Sequence, residues 1–154
     1  MAKIGFLFPG QGSQAVGMGR DLAESVDWAA GMYRRAAERL GFDLAAVCFE
    51  GPEETLRQTR YTQPALVVHS AIVDRLLRER GVVPAAAAGH SLGEYSALVS
   101  AGVLSFDDAL DLVRERSRLM SEAGSKRPGA MAAVIGLSPG DVADVCLGAS
   151  GAGI

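Results

Sequence analysis

The pentapeptide Gly89-His90-Ser91-Leu92-Gly93 constrains this chain more than any other feature. It follows a charge-free apolar run, Val82 to Ala88, and precedes a segment that reads as a helix from Ser91 to about Gly102. A serine between two such glycines, at the junction of a strand and a helix, specifies a sharp elbow that lifts the serine Oγ off the backbone. The helix N-terminus then turns unpaired N–H groups and the positive end of its dipole toward any negative charge formed there. Leu92, the residue after the serine, holds the backbone N–H of an oxyanion donor. The same five residues also fit a plain serine N-cap between turn glycines, so the pentapeptide alone does not decide for catalysis.

The segments around the elbow alternate in period. Ile4 to Phe8 reads as a short buried strand ended by Pro9. Asp27 is placed as the N-cap of a helix with apolar residues Trp28, Met32, Ala36 and Leu40, closed by Gly41. Gly51-Pro52-Glu53-Glu54 opens a short helix with proline at its first position. Thr62-Gln63-Pro64 opens a long buried helix that closes at Arg80-Gly81. Val82 to Ala88 suits a strand covered on both faces, although its alanines form strands poorly. Ser105 to Asp108 has capping-box spacing and opens a helix running to about Glu122. Beyond a polar linker, Met131 to Ile135 reads as a strand, and Ser138-Pro139-Gly140-Asp141 starts another helix. Strands alternating with helices give an α/β class with a mostly parallel sheet. So few strands make a thin open sheet, and the sequence reads as the front half of a larger fold.

Composition removes several function classes. The 154 residues carry 15 basic and 18 acidic side chains, a net charge of −3, which argues against the clustered basic surface of a nucleic-acid binder. No apolar run reaches the roughly 20 residues of a membrane span, and the N-terminal stretch is too short for a secretory signal. Cys48 and Cys146 stand far apart, which fits a pair of reduced, buried thiols in a cytoplasmic protein. With His69 and His90 the only histidines, a metal site has little to be built from.

The chemistry then rests on few groups. His90 neighbours Ser91, but adjacent residues at a strand end point to opposite sides, so it is not placed to take the serine proton. His69 falls within the long apolar helix and reads as a hydrogen-bonded core histidine. On the helix from Phe106, Arg116 falls within about 20° of Ala109 and about 40° of Leu112 and Met120, on or beside the apolar stripe. A buried guanidinium needs an anion, and its fork matches a carboxylate. A structural ion pair or a snorkelling side chain fits the same position. Gly10-Gln11-Gly12-Ser13-Gln14-Ala15 fits a dinucleotide fingerprint, yet a helix stands where that fold needs a second strand, so nucleotide binding is rejected. The glycines instead bring the loop backbone to the site, with Gln11 offering an amide.

Phe8-Pro9-Gly10-Gln11-Gly12-Ser13-Gln14, Tyr61-Thr62-Gln63-Pro64-Ala65, Gly89 to Ala97 and Gly129 to Gly136 together closely resemble the malonyl-CoA:acyl-carrier-protein transacylases of fatty-acid synthesis. With the spacing from Ser91 to Arg116, the resemblance covers essentially the whole chain. It implies an α/β-hydrolase-like large subdomain with an inserted ferredoxin-like small subdomain. Residues 1–124 then belong to the large part, 125–127 link, and 128–154 begin the insertion. It also implies a ping-pong reaction: Ser91 takes malonyl from malonyl-CoA and passes it to the phosphopantetheine thiol of acyl carrier protein, with no separate cofactor. Leu92 and Gln11 are implied as oxyanion donors and Arg116 as the ligand of the free malonyl carboxylate. His90 belongs to the motif near the substrate and is given no proton-transfer role. The family's general-base histidine lies downstream of the insertion, past Ile154, so these residues have the nucleophile without its base. The alternatives are a polyketide synthase acyltransferase domain, a non-catalytic module binding acyl-CoA or acyl carrier protein, and a general serine esterase, which Arg116 argues against.

Overall fold

A computed structural model describes residues 3–126 and 134–150. Two parallel strands, β1 (Gly5–Phe8) and β2 (Ala86–Gly89), lie side by side in the register Gly5 to Ala86 through Phe8 to Gly89. Between them run α1 (Arg20–Ser25), α2 (Asp27–Leu40), α3 (Leu44–Glu50), α4 (Glu53–Leu56) and α5 (Thr59–Glu79). After β2 come α6 (Gly93–Ser100), α7 (Phe106–Lys126) and α8 (Pro139–Ser150). The parallel pair with a helical crossover is the α/β arrangement the periodicity indicates.

The core is built on α5, whose Thr62 to Val68, Ser70 and Ile72 are buried against α2, α3, α4, α6 and α7. Phe6 and Phe8 point from one face of β1 onto Ala97 of α6, while Leu7 on the other face is 83% exposed. Two polar clamps fix the helices that flank the elbow. Arg35 and Arg39 of α2 pair with Asp107 of α7, and Arg39 reaches Asp111 as well. The hydrogen bond from Arg35, with both guanidinium charges, holds the Asp107 carboxyl below the usual carboxylate range. At the far end of α6, Arg78 donates to the Ser100 carbonyl at 2.7 Å, and the Ser100 hydroxyl donates to Asp74 at 2.6 Å.

Several expectations need correction. β2 starts at Ala86 rather than Val82, because Gly81 adopts a left-handed turn and Val82 N–H caps α5 by donating to the Leu77 carbonyl. Pro84 then has no N–H to give a ladder. Nor is β2 covered on both faces: Ala86 and Ala88 are exposed among the described residues. Asp27 is the first residue of α2, and Val26 stands at the cap without a side-chain bond. Pro52 stands at the N-cap of α4, one position before the first-turn site expected for it. Helix α5 begins at Thr59, so Pro64 lies inside it and leaves one internal hydrogen bond unmade. Helices α1 and α3 were not expected. The Ser105 cap holds, with its Oγ accepting from Asp108 N–H at 3.1 Å. Helix α7 continues to Lys126, through Ser125 and Lys126 of the expected linker. Of the expected strand at Met131 to Ile135, residues 131–133 lie outside the described ones, and Val134 and Ile135 form no strand. Cys48 is buried, and burial pushes its thiol up to about 12; Cys146, expected to be buried, is exposed on α8. No helix among the described residues is long and apolar enough to cross a membrane.

Candidate active site

The register of the two strands builds the site. Phe8 pairs with Gly89 and its carbonyl accepts from His90 N–H at 3.1 Å, so the loop after β1 and the turn after β2 leave the sheet together. The turn is tight enough to exclude side chains. A Cβ on Gly89 would lie 2.0 Å from the Gly93 carbonyl carbon, and one on Gly93 would lie 2.1 Å from the Phe8 carbonyl oxygen. Because the obstructions are backbone, Gly93→Ala is expected to cost about 3 kcal/mol in a urea unfolding experiment. Gly31→Ala in α2, with only the Arg34 side chain 3.7 Å from its new Cβ, should instead stabilise by about 0.5–1 kcal/mol.

Ser91 sits at the apex with φ of 53°, the one non-glycine among the described residues in left-handed backbone. That conformation is strained for a residue with a Cβ and persists only where its surroundings impose it. Here Gly93 N–H donates to the His90 carbonyl at 2.9 Å and Glu94 N–H to the Ser91 carbonyl at 3.3 Å, locking the turn into α6. Among the described residues, the backbone N–H groups of Leu92 and Gln11 donate to no protein acceptor. Leu92 itself is 1% exposed. Gln11 follows Gly10, which is buried against His90, and Gln11 Nε2 donates to Thr59 Oγ1 at 3.3 Å at the start of α5.

Arg116 closes the arrangement: its Nη2 donates to Ser91 Oγ at 3.0 Å. The two residues are 25 apart in sequence and reach each other because α7 crosses beside α6. Its guanidinium carbon also lies 5.8 Å from the centroid of the Tyr95 ring. Arg114 and Arg118 pair with Asp111, Glu115 and Glu122, whereas Arg116 has no carboxylate partner among the described residues. The expected burial of Arg116 needs revision. Leu112 and Met120 are exposed, the buried stripe of α7 is Ala109, Leu110, Val113 and Ser117, and Arg116 is half-buried at its edge.

His90 is exposed, with its ring against Gly10, and makes no described hydrogen bond to Ser91. His69 is half-buried on α5 and is not the hydrogen-bonded core histidine expected: its Nδ1 faces Gly19 beside the Tyr33 hydroxyl without a hydrogen-bond partner among the described residues, and burial lowers its pKa. So the structure brings Ser91 and Arg116 together beside the Gln11 loop and brings neither histidine to the serine. Three residues near them were given no site role by the sequence. Thr59 holds the Gln11 amide, and Tyr95 faces Arg116. Gln63 is fully buried beneath α7, donating to Met120 Sδ at 3.2 Å with Oε1 unpartnered among the described residues. Tyr95 carried no local signal, because its approach to Arg116 depends on how α7 crosses α6.

Comparison with known proteins matches residues 5–145 to the acyl transferase domain family. The malonyl CoA-acyl carrier protein transacylase of Bacillus subtilis is 50% identical over 137 residues, covering 89% of this chain and 43% of that protein. Polyketide biosynthesis protein ThaF of Burkholderia thailandensis is 52% identical over 142 residues, 91% of this chain and 12% of its own length. The solved malonyl CoA-acyl carrier protein transacylase of Coxiella burnetii superposes with a TM-score of 0.87 at 41% identity, over 96% of this chain and 47% of that one. The chain spans about half the length of the curated transacylases it matches. Its strands, elbow and helices have the α/β acyltransferase fold, and the chain belongs to the acyl transferase family.

Proposed function

We propose that this protein transfers a malonyl group from malonyl-CoA to the phosphopantetheine thiol of acyl carrier protein, through an ester on Ser91. The observation that carries the reading is the 3.0 Å contact between Arg116 and Ser91 Oγ: a guanidinium without a carboxylate partner among the described residues stands one hydrogen bond from a strained, exposed serine. A malonyl group esterified to that serine has its free carboxylate at the other end of a three-carbon chain, within reach of a fork that binds carboxylates in pairs of hydrogen bonds.

In the first half-reaction Ser91 Oγ attacks the thioester carbonyl and gives its proton to a general base. The oxyanion accepts from the N–H groups of Leu92 and Gln11, the C–S bond breaks, and coenzyme A leaves as its thiol with that proton. In the second, the pantetheine thiol loses its proton to the same base and attacks the ester; the C–O bond breaks and Ser91 regains its hydrogen. His90 lies at the mouth and contacts substrate without moving the proton. Neither histidine of the sequence serves as base on this geometry, so the reading assigns that role to a histidine outside these 154 residues. It calls for no cofactor, since both acyl carriers enter as substrates, and it includes a cytoplasmic setting.

The similarity to ThaF favours one second reading, the same acyl transfer in polyketide synthesis. Intact-mass spectrometry of the purified polypeptide, before and after mixing with malonyl-CoA, tests the chemistry common to both. The expected result is a gain of one malonyl group, discharged when holo acyl carrier protein is added. No adduct at all would leave a binding module without transfer.

A further inference from the structure

We infer that Tyr95 is a positioning residue for Arg116, holding the guanidinium over Ser91 through its ring face so that the N–H donors stay free for a substrate carboxylate. The inference rests on the malonyl-transfer reading and deepens it. Tyr95 stands in the first turn of α6, which opens directly after the Ser91 elbow. The Arg116 guanidinium carbon lies 5.8 Å from that ring's centroid, inside the range at which an aromatic quadrupole attracts a cation.

The choice of partner matters. A charge half removed from water needs compensation, and the neighbouring arginines of α7 find it in acids: Arg118 in Glu115 and Glu122, Arg114 in Asp111. An acid beside Arg116 would take up its N–H groups and compete with the incoming carboxylate. A ring face compensates the charge while using none of the five donors. It also limits the swing of a long side chain whose one described hydrogen bond goes to a neutral hydroxyl. The pairing therefore suits a guanidinium that is empty-handed between turnovers and must present an ordered fork when substrate arrives.

The test is the ratio of kcat/KM for malonyl-CoA to that for acetyl-CoA, measured on the whole polypeptide. The proteins compared are wild type, Tyr95→Phe, Tyr95→Leu and Tyr95→Met, with Arg116→Ala as reference. Loss of the ring should lower the ratio about fivefold in both apolar variants, mainly through the malonyl-CoA KM, while Tyr95→Phe stays within about twofold of wild type. Using Leu and Met together keeps the test open should one of them fold poorly. A merely structural tyrosine would lower both activities in step and leave the ratio unchanged, which overturns the inference. An equal fall in Tyr95→Phe also overturns it, by moving the effect to the hydroxyl. Should wild type show no malonyl preference, or Arg116→Ala leave the ratio intact, the malonyl reading itself fails and takes the role of Tyr95 with it.

Discussion

Replacing Ser91 by glycine abolishes the malonyl adduct and drops transfer by about 10⁶-fold, the loss typical when the nucleophile of a serine enzyme is removed. The same substitution leaves the fold as stable as wild type, or more stable by up to about 1 kcal/mol. Ser91 alone among the described non-glycine residues has left-handed backbone, with φ of 53°. An L-residue pays roughly 1–2 kcal/mol for that conformation, and glycine avoids it while giving back part of the gain as unfolded-chain entropy. Ser91→Ala separates the two effects: it loses the adduct equally and keeps the strain. The hydroxyl's one hydrogen bond among the described residues is the bond from Arg116, and Ser91 is exposed, so its removal disturbs little packing. Unfolding midpoints in urea, read beside intact masses, give both results from one set of proteins. An adduct that persists in either variant removes Ser91 from the chemistry. A glycine variant markedly less stable than wild type shows that the turn carries no strain.

What the sequence revealed of this site follows from which physical rules are local. The elbow was legible because its causes lie within five residues: the glycines at 89 and 93 are required by backbone contacts that no side chain can share. The Ser105 cap is equally local. Helices α1 and α3 escaped because six or seven residues make under two turns, too short for a period to show, although Asp43 does cap α3 by accepting from Ala46 N–H. The start of β2 was misplaced because hydrophobicity marks Val82 as strand-like, while the chain uses it to close α5. Arg116 was selected by helical angle, and the angle was sound. Its warrant was not, since period fixes which residues share a face but not which part of that face a neighbour covers; Leu112 and Met120 prove exposed. The 3.0 Å approach to Ser91 depends on how α7 crosses α6, and the pairs of Arg35 and Arg39 with Asp107 that hold α7 span about 70 positions. No window along the chain contains them.

Replacing Arg116 by alanine collapses the preference for malonyl over acetyl by about 10²-fold. A bidentate, charge-assisted pair in a desolvated site is worth about 2–5 kcal/mol when one partner is truncated, and a factor of 100 needs about 2.8 kcal/mol. The lower part of that range is the right one here, because Arg116 is half-buried and its charge is partly screened. Acetyl-CoA presents only a methyl group at the end of its acyl chain, so the fork has nothing to bind and its removal cannot weaken that interaction. Arg116→Lys separates charge from shape: a lysine keeps the cation but donates without the planar fork, and it should fall between wild type and alanine. The measurement is kcat/KM for both thioesters in all three proteins, each checked for an unchanged urea midpoint. If alanine lowers malonyl and acetyl transfer equally, Arg116 acts on Ser91 Oγ, to which it already donates, rather than on the acyl chain. If neither activity changes, the guanidinium has no substrate carboxylate to meet and the protein acts on neutral esters.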